Sequence, residues 1–290
     1  MGTSARKAIL AGLGLMAFAV TAQAAPDAGE ASGPFLGGFL KETRIVYPLQ
    51  LGEWEAVGEQ LYDAVELGAS VRYQSGDSLD RWIDVYFYPV GVVPGSHLQQ
   101  AALATLQDIE SNVGRPGGYV DAELGELRRF QVGRVDDKAE AIPALSADMR
   151  LVREEGDYHS AVTLLIDRLY YVKGRYSVAA GAMDRSAVRG ALEAFIAELV
   201  SGTYIGSTGS CWSPAPVEAP PAGAAVPAES RLSITSEGGN GRLYPGCVGA
   251  EPHNPDVPEG HREIRFEYRA PGDVRGDGSR RLLPPRAGLG

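Results

Sequence analysis

The chain has 290 residues, with 27 basic and 37 acidic side chains and a formal net charge of -10 at pH 7. An acidic protein repels nucleic acid and anionic lipid headgroups, so binding to either would need a concentrated local patch of positive charge. Hydrophobic residues make up 44% of the sequence, which is ordinary for a globular protein. We therefore expect a folded protein with no nucleic-acid partner.

The N-terminal segment, residues 1–24, has the pattern of a secretory signal peptide. Arg6 and Lys7 precede an apolar run at 8–20, and the Ala-Gln-Ala sequence at 22–24 is typical of a signal-peptidase site. The apolar run is too short to span a bilayer comfortably, and no later stretch reaches the necessary length. We expect cleavage after this segment, a periplasmic or secreted product, and no membrane insertion after cleavage.

Composition divides the rest of the chain into three parts. Residues 25–33 are small and polar and predict a flexible leader. Residues 34–205 contain periodic apolar runs separated by turn residues, and their length suits one domain. Residues 206–290 are rich in proline, alanine and glycine, and they predict an extended tail.

The first part of the domain predicts a series of strands separated by turn residues. These strands are expected at 39–46, 53–63, 68–74 and 81–90. The third places Ala69, Val71 and Tyr73 on one face. The fourth, RWIDVYFYPV, is apolar on both faces, which is typical of a central strand covered on both sides.

Two helices and four further strands complete the predicted domain. Ser96 and Gln99 match a capping box that begins the first helix, and Asp184 is a suitable N-cap for the second. The apolar positions of the first helix are Leu98, Ala102, Leu106, Ile109 and Val113, and those of the second are Val188, Ala191, Leu192, Phe195, Ile196, Leu199 and Val200. The further strands are expected at 126–133, 146–154, 158–166 and 168–178. This order predicts an α+β domain with a central antiparallel sheet flanked by two main helices.

The run at 168–178, RLYYVKGRYSV, has two different faces. The apolar face consists of Tyr170, Val172, Gly174, Tyr176 and Val178, and the mixed face of Tyr171, Lys173, Arg175 and Ser177. We predict a core strand whose basic side chains lie on a solvated rim, and Arg72, Lys173 and Arg175 form the candidate binding surface. The pattern does not match the aromatic strand of RNA-recognition domains, because Arg175 and Ser177 occupy positions where aromatic rings would stack on bases.

Three runs, together with the order of the elements, carry a resemblance to known proteins. They are YPLQLGEWEAVGE (47–59), SVRYQSGDSLDRWIDVYFYPVG (70–91) and YYVKGRYSV (170–178). The chain resembles a group of uncharacterised exported bacterial proteins, and its fold resembles that of the photosystem PsbP family and its Ran-binding relatives over about residues 34–203. The resemblance implies a central antiparallel sheet with helices on its faces, used as a binding or assembly module, and it assigns no functional residue to this chain.

Signatures of common enzymes are absent from the sequence: there is no G-x-S-x-G, no H-E-x-x-H, no phosphate loop and no G-x-G-x-x-G that opens a helix after a strand. His159 and Ser160 are adjacent on a predicted strand, so their side chains point to opposite faces and do not readily share a proton. A buried Asp84 could act as an acid or base, but contact with water or with a nearby arginine is the expected role. We predict no catalytic residue and no cofactor.

The tail contains the two cysteines of the chain, Cys211 and Cys247. In an oxidising compartment such a pair forms a disulfide, and we predict a disulfide-closed loop with short strands at 231–236 and 261–271 around it. The run HNPDVPEGH at 253–261 has residue types that bind metals, but its spacing matches no strong metal pattern. No metal site is predicted.

The sequence favours a non-catalytic exported module that binds an envelope protein or a small ligand. The alternative is an enzyme of unrecognised type, possibly a hydrolase. Titratable residues clustered in one closed pocket would favour the enzyme, whereas a shallow groove would favour the binding module.

Overall fold

A computed structural model of the chain describes residues 42–63, 67–76, 81–90, 93, 96–133, 141–208, 212–213, 242–243 and 256–267. The predicted signal peptide, the predicted leader, Cys211, Cys247, His253 and the strand expected at 231–236 lie outside the described residues. Within the described part of the chain, no helix is both long enough and apolar enough to cross a membrane.

The described part contains fourteen strands and two helices. The strands are β1 (Glu42–Pro48), β2 (Gln50–Leu51), β3 (Trp54–Leu61), β4 (Ala69–Ser75), β5 (Trp82–Pro89), β6 (Asp121–Leu124), β7 (Arg128–Val132), β8 (Ile142–Arg153), β9 (Gly156–Asp167), β10 (Tyr170–Ala179), β11 (Tyr204–Thr208), β12 (Trp212–Ser213), β13 (Arg242–Leu243) and β14 (His261–Glu267). The helices are α1 (His97–Ser111) and α2 (Arg185–Gly202). The predicted α+β class with two main helices is confirmed.

The strands form one large sheet and two small ones. The large sheet has nine strands in the order β2-β3-β4-β5-β10-β9-β8-β6, and β7 also pairs with β8. The second sheet has the order β11-β1-β14, and β12 pairs with β13 alone. The pairs between these strands are antiparallel. β5 and β10 are neighbours in the large sheet, although α1 and four strands lie between them in sequence.

The hairpin between β9 and β10 turns within two residues. Arg168 and Leu169 both have a left-handed backbone, with φ of 46° and 76°. A two-residue turn with positive φ at both positions matches the right-handed twist of the strands, although asparagine and glycine usually occupy it. Leu169 is buried in the core, and its carbonyl accepts a hydrogen bond of 2.9 Å from the amide of Val90. Tertiary contacts therefore hold a turn that the local sequence disfavours.

The inner face of the large sheet packs against α2. Val188, Leu192 and Ile196 are fully buried there, and they contact the apolar face that the sequence predicted for β10. The close approach depends on Gly174, because a Cβ at this position would lie 2.6 Å from Thr163 Oγ1 and 2.8 Å from Ile196 Cδ1. The predicted division of β10 into two faces is confirmed.

The outer face of the sheet is covered by α1 over only part of its width. Ala102, Leu106 and Ile109 are buried against β8 and β9. At β10 the helix reaches Tyr171, whose ring stacks on His97 with a centroid distance of 6.0 Å. Neither described helix packs on the outer face of β4 and β5, and the outer residues of these two strands are half-buried.

Several local predictions were wrong in detail. Residues 126–133 form the shorter strand β7, and β6 was missed. The capping box is absent, because Ser96 has helical backbone angles of -69° and -17° and its side chain makes no cap hydrogen bond. Asp184 does precede α2 with an extended backbone, but it also makes no side-chain cap hydrogen bond. On β5 the inner residues are buried, whereas the outer ones are only half-buried, so the strand is central without being covered equally on both faces.

The strand predicted at 261–271 is confirmed in part as β14, but its partner is β1 rather than another strand of the tail. Ile264 is buried in the main core, and Phe266 is 5% exposed and stacks on Tyr170 with a centroid distance of 5.9 Å. A segment of the proline-rich part of the chain therefore contributes to the same core as the sheet domain.

Candidate binding surface on the outer face of the sheet

Seven side chains from three adjacent strands share the outer face of the large sheet. We call them the basic aromatic surface: Arg72, Trp82, Asp84, Tyr86, Tyr88, Lys173 and Arg175. The antiparallel register places Asp84 beside both Arg72 and Arg175, and Tyr86 beside Lys173. The structure therefore brings together on one face the three basic residues that the sequence singled out.

Arg72 is fixed by a carboxylate and an indole ring. Its Nε and Nη2 donate to the two carboxylate oxygens of Asp84 over 2.7 and 2.9 Å, and its guanidinium carbon lies 5.3 Å from the Trp82 ring centroid. Two parallel bonds of this kind are among the stronger charge-assisted interactions in proteins. The hydrogen bonds to Asp84 raise the pKa of Arg72. The predicted pairing of Asp84 with an arginine is confirmed.

Arg175 has a neutral partner instead. Its guanidinium donates to the Tyr119 hydroxyl, and the Tyr119 ring also receives the Arg153 guanidinium at 5.4 Å from its centroid. Although Asp84 lies opposite Arg175 in the register, no described carboxylate forms an ion pair with Arg175. Because the Tyr119 hydroxyl is neutral, this contact does not compensate the positive charge of Arg175.

Lys173 is the residue whose environment differs most from the prediction. It is only 8% exposed, so it does not lie on a solvated rim. Burial, together with the charge of Arg175, lowers the pKa of Lys173 to about 8, and Asp108 of α1 opposes this shift. Its neighbours on the adjacent strands are Tyr86 and Leu164. The prediction of a solvated lysine side chain at position 173 was therefore wrong, because this side chain is buried.

The tyrosines of β5 form an ordered pair. The rings of Tyr86 and Tyr88 stack with a centroid distance of 5.7 Å and an interplanar angle of 7°. Burial, together with the negative charge of Asp84, raises the pKa of Tyr86 to about 12, and burial also raises the pKa of Tyr88. Both phenols are therefore protonated at neutral pH, and each can donate a hydrogen bond.

Residues His159 and Ser160 do not form a catalytic pair. The Nδ1 atom of His159 lies 2.7 Å from the Met183 carbonyl on the α2 side of the sheet. The Ser160 hydroxyl donates to the Tyr176 carbonyl over 3.0 Å and lies 2.7 Å from the Ser177 hydroxyl. The two side chains engage different neighbours, as adjacent residues on a strand do.

The cavity beneath α1 is small. It has a volume of about 10 Å³ and is lined by Ala102, Thr105, Leu145 and Leu164, among others. Such a space accommodates about one water molecule. An organic substrate does not fit there.

Within the described ranges, no group of three histidine, cysteine, aspartate or glutamate side chains could hold a metal ion. In the described part of the HNPDVPEGH run, Asp256 and Glu259 are exposed, and the His261 Nδ1 atom lies 3.1 Å from the Glu259 carbonyl.

The sequence analysis did not single out three aromatic residues of this surface, or the tyrosine that contacts Arg175. Trp82, Tyr86 and Tyr88 alternate with the buried residues of β5, so the period of the strand was a sufficient signal for placing them on one face. Tyr119 lies outside the strands in a turn-rich segment, and no local pattern connects it with Arg175.

Comparisons with known proteins identify no family. No protein-family model matches the sequence, and no curated protein matches it. The fold is similar to the solution structure of cyanobacterial PsbP (CyanoP) from Synechocystis sp. PCC 6803, with 12% sequence identity, a TM-score of 0.34, and coverage of 61% of this chain and 98% of that one. This weak similarity agrees with the PsbP-like fold suggested by the sequence.

Proposed function

We propose that this protein is an exported, non-catalytic binding module whose partner, a protein of the cell envelope, docks on the basic aromatic surface. The basic, apolar and small-residue pattern of segment 1–24 supports export. The proposed partner is a protein because the surface spans three strands, and a broad, shallow face suits a macromolecule better than a small ligand.

The observation that carries this proposal is the composition of the outer face of β4, β5 and β10. Arginine, tryptophan and tyrosine contribute most of the binding energy at protein interfaces. Here Arg72, Trp82, Tyr86, Tyr88 and Arg175 lie on the outer face of adjacent strands, and each is half-buried. Hydrogen bonds and ring contacts already fix several of these side chains, so little conformational entropy is lost when a partner binds.

We also propose that Cys211 and Cys247 form a disulfide in the exported protein. The pairing of β12 with β13 supports it, because Trp212 follows Cys211 directly and Leu243 precedes Cys247 by only four positions. The bridge would tie together the two ends of the proline-rich segment between them.

Site-specific photo-crosslinking in the native host tests the docking proposal. A photoreactive phenylalanine replaces Tyr88 in one variant and Leu103, which is 46% exposed on α1, in a matched control. We expect one specific protein adduct from position 88 and none from position 103, with mass spectrometry identifying the partner. Identical adducts from both positions, or none from position 88, would contradict the proposal.

The same material tests export. Sequencing the N-terminus of the protein recovered from the periplasmic fraction should show cleavage after residue 24. An intact N-terminus would remove the export part of the proposal and leave the binding surface to be judged by the crosslinking result.

A further inference from the structure

We propose that residues 57–61 of β3 bind an extended, basic segment of another protein as an additional strand of the large sheet. We call these five residues the β3 edge. This inference goes beyond the proposed function, because it assigns a second interaction surface, at the edge of the sheet rather than on its outer face. It does not depend on docking at the basic aromatic surface.

Among the described residues, the β3 edge has no neighbouring strand on one side. The last strand of the large sheet, β2, pairs only with Trp54 and Glu55. The amide of Ala56 donates to the Leu49 carbonyl over 2.8 Å, and beyond this bond no described strand pairs with the outer side of β3. All five residues of the β3 edge are exposed. The edge therefore has room for a further strand.

Two residues of the β3 edge direct their backbone polar groups away from the sheet. The amide of Tyr62 donates to the Gly68 carbonyl over 3.1 Å, which fixes the phase of the ladder between β3 and β4. Since alternate residues of an antiparallel strand bond to the same neighbour, Glu59 and Leu61 present their N–H and C=O groups outward. No described residue forms a hydrogen bond with these four groups. Unpaired groups of this kind are a template for strand addition.

The β3 edge also exposes apolar side chains. Val57 is 52% exposed and Leu61 is 48% exposed, and they are two of the five large apolar side chains exposed in the described part of the chain. Val57 is the extra residue of a β-bulge, because the register with β4 shifts between Ala56 and Gly58. An added strand with apolar side chains would remove this surface from water while it forms backbone hydrogen bonds.

The charge around the β3 edge favours a basic segment. The carboxylates of Glu55 and Glu59 are exposed, and no described cation forms an ion pair with either of them. Glu59 accepts a hydrogen bond of 2.6 Å from the neutral Tyr47 hydroxyl. Glu53, in the turn before β3, is by contrast paired with Arg81. Arginine or lysine side chains on an added strand would therefore meet two uncompensated carboxylates.

The same carboxylates disfavour a second copy of this chain as the added strand. Two β3 edges paired with each other would bring Glu55 and Glu59 of one copy close to the same residues of the other. Like charges on neighbouring strands destabilise their pairing, and each copy has a net charge of -10. A basic segment of another protein is therefore the occupant that fits this edge.

Nuclear magnetic resonance titration of the mature full-length protein with a blocked seven-residue peptide of alternating arginine and valine tests the inference. One comparison peptide has glutamate in place of arginine. The other carries a methyl group on every backbone amide, which keeps the side chains and removes the hydrogen-bond donors. We expect both comparison peptides to bind about tenfold more weakly than the basic peptide, or not at all.

Hydrogen exchange locates the bound peptide. The basic peptide should slow exchange of the amides of Glu59 and Leu61, which point outward, and have little effect on those of Gly58 and Gln60, which face β4. Protection of the two outward amides in the free protein would mean that the edge is already occupied. The occupant would be a second copy if protection grows with protein concentration, and the same chain if it does not; either result would overturn the inference.

Variants separate the contributions of charge and backbone. The double variant Glu55→Gln, Glu59→Gln should weaken binding about fivefold, because two exposed ion pairs are lost. Its matched control, Glu154→Gln, Glu155→Gln, removes two exposed carboxylates between β8 and β9 and should change binding less than about twofold. Leu61→Pro removes an outward N–H at an edge position where proline is tolerated, and it should weaken binding about tenfold. Circular dichroism shows which variants are folded, and only folded variants are compared.

Failure of the basic peptide to bind, equal binding of the basic and methylated peptides, or slowed exchange away from the β3 edge would each contradict strand addition. Equal binding by wild type and a folded Leu61→Pro variant would contradict it as well. Crosslinking from position 88 is a separate result, because Tyr88 is not part of the β3 edge, so either proposal can fail while the other stands.

Discussion

Gly174 shows how one missing side chain sets the distance between a sheet and a helix. Its position on the inner face of β10 faces Ile196 of α2 and Thr163 of β9, and both lie closer than a Cβ tolerates. A larger residue here has to displace the helix or the neighbouring strand, because protein interiors are densely packed.

We expect Gly174→Ala to lower the free energy of unfolding by about 1–3 kcal/mol, as overpacked cores typically do. Denaturant unfolding followed by circular dichroism measures it. Gly133→Ala is the matched control, since nothing lies within 4 Å of a Cβ at that position. Equal stability of the two variants would show that α2 moves freely to accommodate the methyl group.

Lys173 makes stability depend on pH above neutrality. The pKa of Lys173 in the folded protein is about 8, whereas that of a solvated lysine is 10.5. Above 10.5 the amine is neutral in both states; as pH falls toward 8, the unfolded chain takes up a proton that the folded protein resists, so stability decreases. Below about 8 both states are protonated, and the loss is complete.

We therefore expect Lys173→Met to be more stable than wild type at pH 7, by up to about 3 kcal/mol at 1.36 kcal/mol per pKa unit. The advantage should shrink steadily between pH 8 and pH 10.5. Paired denaturant titrations across this range measure the difference. A difference that does not change with pH would contradict an unfavourable buried charge.

At the scale of elements, α2 is held to the sheet by charge as well as by apolar contact. Asp148 of β8 is 14% exposed at its side chain and accepts from Arg185 over 3.2 Å and from Arg189. Glu193 of the same helix accepts from the Ser146 hydroxyl over 2.5 Å. These contacts fix the N-terminal half of α2 over the edge of the sheet.

Replacing Asp148 by Asn should lower the free energy of unfolding by about 1–3 kcal/mol, because Arg185 and Arg189 each lose one of two carboxylate partners and keep only Glu123 and Glu193, respectively. Thermal or denaturant unfolding measures the change. Glu154→Gln, at an exposed position on the neighbouring turn, should stay within about 0.5 kcal/mol of wild type. A similar small effect at Asp148 would mean that the apolar face of α2 suffices.

The ends of the helices illustrate the limit of local patterns. The apolar spacing of 188–200 predicted the buried face of α2 correctly, since burial follows a period of 3.6 residues. Ser96 and Gln99 met the sequence requirement for a capping box, yet the backbone of Ser96 is already helical, which removes the geometry that the cap needs. The motif supplies the side chains for a capping hydrogen bond, and the backbone conformation at the helix start decides whether that bond forms.

At the scale of the whole molecule, β14 closes the second sheet from a distant part of the sequence. It pairs with β1 along the full length of β1, and its apolar residues enter the main core. Phe266 contacts the large sheet by stacking on Tyr170, and Ile264 is buried in the same core.

Phe266→Ala should lower the free energy of unfolding by about 3 kcal/mol, the usual cost of truncating a buried aromatic ring. Val257→Ala, in the same segment but exposed, is the control and should have little effect. Denaturant unfolding of both variants decides the question. Equal stabilities would show that β14 is only an appendage of the fold.

The proposed disulfide predicts how the two cysteines react with an alkylating reagent. Alkylation without reductant should leave the mass unchanged, and alkylation after reduction should label both Cys211 and Cys247. Intact-mass spectrometry measures the shift. Two labelled thiols per chain before reduction would contradict the bridge.

The sequence by itself determined the features that depend on residue period. Alternation along 170–178 fixed which side chains of β10 face the core, and it placed Lys173 and Arg175 together on the opposite face. The two helices, the antiparallel α+β class and the opposed side chains of His159 and Ser160 follow from the same kind of local geometry.

Only the tertiary structure decided which strands are neighbours. The register of β4, β5 and β10 joined Arg72 and Asp84, brought Tyr86 beside Lys173, and buried an amine that the sequence placed in water. Pairing of β14 with β1 likewise depends on contacts between segments more than 200 positions apart. Strand neighbours are selected by the sum of many weak packing and hydrogen-bonding contributions across the fold, and no short run of residues encodes that sum.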